Sequence, residues 1–92
     1  MVEYKKGYFA KSIAGHDKGK LYIIIEGTET AGKDDFVYLT DGELKPLDKP
    51  KKKRTKHVQV IKTCDPMIDS LIRDGQEIRN EDIKRAIKTY CK

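Results

Sequence analysis

Early in the chain, apolar residues fall in short runs divided by polar, glycine-marked turns; towards its end they recur at helical spacing. Tyr8 to Ile13 alternates loosely between apolar and polar positions, the pattern of a half-buried first strand. Leu21 to Ile25 is an unbroken apolar run, too short for a helix and rich in isoleucine, and predicts the central strand. Phe36 to Leu39 predicts a third strand, and Asp41-Gly42 is the dipeptide that a type I′ turn prefers because both central residues take positive φ. A tight hairpin is therefore expected, with Leu44 and Leu47 on its return strand and Pro46 keeping that strand short or at an edge. Asp48 to Lys56 reads as a basic connector, and Val58, Val60 and Ile61 as a last strand. Between the second and third strands, Glu26 to Asp35 reads as a polar loop without periodicity. Five closely spaced strands predict a small antiparallel barrel.

The pattern changes at Cys64. Asp65 suits a helix N-cap and Pro66 the first turn; Met67, Ile68, Leu71 and Ile72 recur on one face before Gly75 stops the helix. Asn80 is the expected cap of a second helix, with Glu81 and Asp82 near its N-terminus, Lys84, Arg85 and Lys88 later, and Ile83, Ala86, Ile87 and Tyr90 on one face. The fold expected is mainly β with C-terminal α: a barrel over residues 1–63, including a basic arm over 49–57, and a helical extension over 64–92 that packs on the barrel or on itself.

Charge sharpens this outline. The chain of 92 residues carries a net charge of +5, but residues 1–44, 45–62 and 63–92 carry −2, +7 and 0, so the basic excess sits in one short segment. Within it, Lys49, Lys51, Lys52, Lys53, Arg54, Lys56 and His57 follow Pro46 and Pro50, which keep the start of the segment extended. Lys and Arg that contact phosphates release condensed counterions, so such a segment points to nucleic acid. A solvated linker is the plainer reading, and the position of the run between strands favours contact.

The second candidate is the turn Ala14 to Lys20, between the first two strands, where Gly15 and Gly19 bracket His16, Asp17 and Lys18. There Lys18 and Lys20 flank a glycine that lets backbone approach a phosphate, and His16 is placed to stack on a base or to donate to phosphate. Of the aromatics Tyr4, Tyr8, Tyr22, Phe36 and Tyr38, Tyr8 is the stacking candidate; Tyr22 and Tyr38 read as core or half-core residues with a wet hydroxyl.

Catalytic chemistry finds little footing. His57 has no acid or nucleophile nearby in sequence, Ser12 and Ser70 lack an elbow motif, and turn chemistry accounts for Asp34, Asp35, Asp41 and Glu43. Cys64 and Cys91 lack metal-ligand or disulfide spacing, so no metal or cofactor is expected and both thiols are expected reduced. Without a membrane-length apolar stretch or a signal-peptide core, the expected location is cytoplasmic.

The order Gly7, Ala10, Ser12, Ala14, Gly15, Asp17, Lys18, Gly19, Lys20, Tyr22 and the isoleucine run resembles the KOW motif of ribosomal and transcription-linked proteins. Within that class the chain is most similar to the archaeal and eukaryotic large-subunit ribosomal protein group number fourteen, through Asp41, Gly42, Leu44, Pro46, Leu47 and the run Lys51 to Lys56 ending at His57. The resemblance covers roughly residues 4–61 and implies an SH3-like barrel, ribosomal RNA as partner, and contacts at Lys18, Gly19, Lys20 and Lys51 to Lys56. His16 stands where that family often has arginine, and the helical pair is more similar to a small bacterial class of stand-alone KOW-domain RNA-binding proteins. The function expected is non-enzymatic binding of structured RNA, ribosomal RNA first, with ribosome association and a protein partner for the helices. The alternative is a protein-interaction module in translation or transcription.

Overall fold

The computed structural model describes residues 4–26 and 36–91. The expected polar loop lies almost wholly outside these residues, only Glu26 being described. Five strands, β1 (Tyr8–Ser12), β2 (Leu21–Glu26), β3 (Phe36–Thr40), β4 (Lys51–Arg54) and β5 (Val58–Cys64), precede two helices, α1 (Pro66–Arg73) and α2 (Asn80–Tyr90). The sheet is antiparallel in the order β4-β3-β2-β1-β5, so β2 is central, as expected from its sequence.

The unbroken apolar run of β2 follows from burial on both faces of the sheet. Tyr22 and Ile24 pack on the inner face with Tyr4, Ala10, Val37, Leu39 and Val58. Ile23 packs on the outer face with Phe9 and, from the helices, Ile68, Ile83 and Ala86. The Tyr90 ring of α2 stacks on Phe9 at 4.5 Å between centroids. The helical segment is thus the cover of one sheet face.

Two expectations about the sheet are corrected. First, Leu44 and Leu47 do not form the return strand; that strand is β4, whose Lys51, Lys52, Lys53 and Arg54 pair with Leu39, Tyr38, Val37 and Phe36. The middle of the segment read as an extended basic connector, Lys51 to Arg54, is therefore a strand. The reason is the turn: among the described residues no non-glycine has positive φ, so Asp41 does not take its type I′ position. Instead the Asp41 carboxylate accepts from the Glu43 and Lys45 amides at 2.9 and 2.7 Å, and the Thr40 hydroxyl donates to the Lys45 carbonyl at 2.6 Å. This side-chain-built turn delays re-pairing until after Pro46 and Pro50.

Second, the sheet is not a closed barrel: no ladder among the described residues joins β4 to β5. A single 3₁₀ turn, Thr55–His57, carries the chain from one edge strand to the other. Three residues reach only about 10 Å. The sheet is therefore curled so that its edges converge at this turn.

The first helix follows its sequence signals. The Asp65 carboxylate caps α1 by accepting from the Met67 and Ile68 amides at 3.1 and 3.2 Å, and also receives Arg85 of α2 at 3.0 Å. Gly75, at φ +68°, follows the helix end. At α2 the cap shifts by one: Arg79 is the N-cap residue, its amide donating to the Asp82 carboxylate at 3.0 Å. Asn80 is drawn away from capping because its side-chain oxygen accepts from the Leu47 amide at 2.7 Å, tying α2 to the β3–β4 connection.

Candidate nucleic-acid interface

A strand sends successive side chains to opposite faces, and β4 divides its four cations accordingly. Lys51 and Lys53 pair with Leu39 and Val37 and share their inner side; Lys52 and Arg54 pair with Tyr38 and Phe36 and share the outer side.

On the inner side the lysines meet Asp17, folded in from the glycine-bracketed loop. Its carboxylate receives the Tyr22 hydroxyl at 2.8 Å, the Ser12 hydroxyl and the Lys53 ammonium at 2.9 Å, and the Lys51 ammonium at 3.2 Å. Lys53 also donates to the Ala14 carbonyl at 3.0 Å and keeps only 10% side-chain exposure. Burial opposes the charge of Asp17, but the donors from Lys53, Tyr22, Ser12 and Lys51 prevail and hold the carboxyl well below the usual carboxylate range. Burial and the neighbouring carboxylate drive the Tyr22 phenol upward, so its hydroxyl stays protonated and is bonded to Asp17 rather than wet as expected. Lys51 and Lys53 are thus structural cations.

On the outer side the cations meet an aromatic ring. The Lys52 ammonium lies 4.4 Å and the Arg54 guanidinium 5.3 Å from the centre of the Phe36 ring. Phe36 is 37% exposed, while Lys52 and Arg54 are exposed. The outer-face cluster beneath the helices draws its strand residues from β1, β2 and β5, which leaves this corner of β3 and β4 outside it. In the sequence Phe36 stands among the aromatics with no feature that assigns it to the site. The available signal is its position two residues before Tyr38, which places both rings on one face of a strand.

The loop presents its residues unevenly. His16, Lys18 and Gly19 are exposed. Lys20 instead pairs with Asp41 at 2.6 Å and lies 5.5 Å from the centre of the Tyr22 ring. Burial opposes the Asp41 charge too, but Lys20 and the Glu43 and Lys45 amides pull its carboxyl below the ordinary value. Gly19 sits at φ +91°, donates its amide to the Ser12 carbonyl at 2.8 Å, and has nothing within 4 Å of where a Cβ would stand. Its requirement here is conformational.

The remaining candidates are spread around this edge. Lys49 and Lys56 are exposed, and His57 is half-buried with its carbonyl accepting from the Ile13 amide at 3.0 Å. Tyr8, the stacking candidate, is half-buried and packs against the inner-face cluster.

Among the described residues no group of three or more His, Cys, Asp or Glu side chains is placed to hold a metal ion, and no helix is long and apolar enough to cross a membrane. No protein-family model and no curated protein matches the chain.

Proposed function

We propose that this chain is a non-enzymatic RNA-binding protein of the SH3-like, KOW type, which grips structured RNA, ribosomal RNA first, through the outer corner of β3 and β4 and the exposed tip of the glycine loop. The observation that carries the reading is the exposed Phe36 ring with the Lys52 and Arg54 cations against it. A base stacks on the ring and displaces the lysine ammonium, which then reaches a neighbouring phosphate on its flexible stem; the planar guanidinium holds a second phosphate. Such contacts suit unpaired bases in RNA loops and bulges, and carry little sequence preference. The SH3-like assignment draws support from the passage of β4 through one 3₁₀ turn into a β5 that pairs back on β1.

The test is RNA affinity measured with a loop-containing ribosomal RNA fragment from low to moderate salt. Phe36→Ala weakens binding roughly tenfold with an unchanged salt slope, because a lost stack removes about 1–3 kcal/mol without removing an ion contact. Lys52→Ala combined with Arg54→Ala lowers the slope by about 1.4, near 0.7 for each phosphate contact. Absent or salt-insensitive RNA binding overturns the reading. Co-sedimentation with ribosomal subunits separates ribosomal RNA from other RNA as the partner.

A further inference from the structure

A cleft of about 620 Å³ opens where α2 crosses the start of β2 and the Asp41 turn. Its volume lies in the range of about 300–1,000 Å³ typical of small-ligand sites. Half-buried Leu21 and Ile87, both packed against the helix-to-sheet core, line it. Four cations, Lys20, Lys84, Arg85 and Lys88, also line it, against the carboxylates of Asp41 and Glu43. Lys20 and Asp41 neutralise each other, and Arg85 is engaged by Asp65 beyond the cleft. Lys84 and Lys88, one helical turn apart, are exposed and have no acidic partner among the described residues. The cleft therefore offers apolar surface beside two free ammonium groups.

The walls are held in place. A Cβ on Gly42 would collide with the Asn80 carbonyl and come within 3.0 Å of the Lys84 stem, so the turn and the helix are in direct contact. The Leu47 amide bonds to the Asn80 side chain on the same connection. Gly19, at the tip of the loop, also lines the cleft.

We infer that this cleft binds one nucleotide, with the phosphate on Lys84 and Lys88 and the flat face of base or sugar on Leu21 and Ile87. The inference rests on the RNA-binding reading for its natural source: a strand held at the glycine loop passes Gly19 and enters the cleft, which makes α2 part of the RNA surface. A free mononucleotide has the same chemistry, and the experiment separates the two.

The full chain is titrated, with its amide and methyl resonances followed, by inorganic phosphate, by uridine monophosphate, and by a short single-stranded RNA. The nucleotide and the RNA are expected to shift the Leu21 and Ile87 signals saturably, with at least tenfold weaker nucleotide binding in a Lys84→Ala, Lys88→Ala variant. Both positions are exposed and alanine favours helix, so the variant keeps the wild-type fold and its spectrum confirms it. Phosphate that reproduces the nucleotide's shifts with equal affinity overturns the nucleotide assignment. RNA that moves the Phe36 signals and leaves those of Leu21 and Ile87 still overturns the cleft and spares the RNA-binding reading. Nucleotide binding in the cleft without RNA binding anywhere supports the cleft and removes that reading.

Discussion

Asp17 is the side chain on which three strands converge: Ser12 of β1, Tyr22 of β2, and Lys51 and Lys53 of β4 all donate to it. Asp17→Ala strands a nearly buried lysine, and breaking a buried pair from one side costs about 3 kcal/mol. In a domain of this size that lowers Tm by roughly 15 °C, measurable by thermal denaturation. The pH dependence has a definite sign. The folded Asp17 carboxyl titrates below its ordinary 3.8, so its contribution is complete above that value and lost as pH falls through the folded pKa. Melting curves between pH 5 and pH 2 are expected to fall less steeply for Asp17→Asn than for wild type. Some slope remains in the variant, because Asp41 and Asp65 are also depressed by cations and amides that outweigh their burial. The sequence shows Asp17 only as a charged residue in a turn; its partners lie up to 36 positions away, which no local pattern records.

At the scale of elements, the chain obeys its local signals wherever they agree with packing. Asp65 caps α1 as its sequence predicts, and Asp65→Ala is expected to remove about 1–2 kcal/mol by thermal denaturation, through the lost cap and the widowed Arg85. Asp65→Ser restores the cap portion alone. Asn80 shows the opposite case, because a bond to a distant backbone amide outranks its capping propensity. Two of the positive-φ glycines, Gly19 and Gly42, also part company. Gly19→Ala meets open space and costs about 1 kcal/mol of backbone strain, whereas Gly42→Ala adds a collision with the Asn80 carbonyl to the same strain. Gly42→Ala is therefore the more damaging in urea titration, and its loss extends to the packing of α2.

For the whole molecule, the question is what the segment of +7 charge does. Half of the β4 cations neutralise an internal carboxylate, and half face outward around an aromatic ring. Lys51→Ala and Lys52→Ala, adjacent and chemically identical changes, are thus expected to separate. The first lowers thermal stability by about 1 kcal/mol and leaves the salt slope of RNA binding unchanged. The second leaves stability within about 0.5 kcal/mol and lowers that slope by about 0.7. Equal effects of the two on stability and on slope refute the division of labour. Curling of the sheet brings the glycine loop across the inner face of β4, so loop and basic strand, read as separate contacts in the sequence, are joined through Asp17 and Lys53.

What the sequence determined by itself was local: the strand runs of β1, β2, β3 and β5, both helices, the Asp65 cap, and a basic concentration between strands. These rest on periodicity, propensity and capping, which act within a few residues. Tertiary structure decided which partner each charge meets. It turned the centre of the expected basic arm into an edge strand, left the curled sheet unclosed, and placed Asp17 over Lys51 and Lys53. It also brought Phe36 beside Lys52 and Arg54, and α2 beside Gly19. The physical reason is that a run of lysines carries the same charge whatever it pairs with, while burial and register across a sheet decide which ammonium groups a carboxylate takes and which stay exposed.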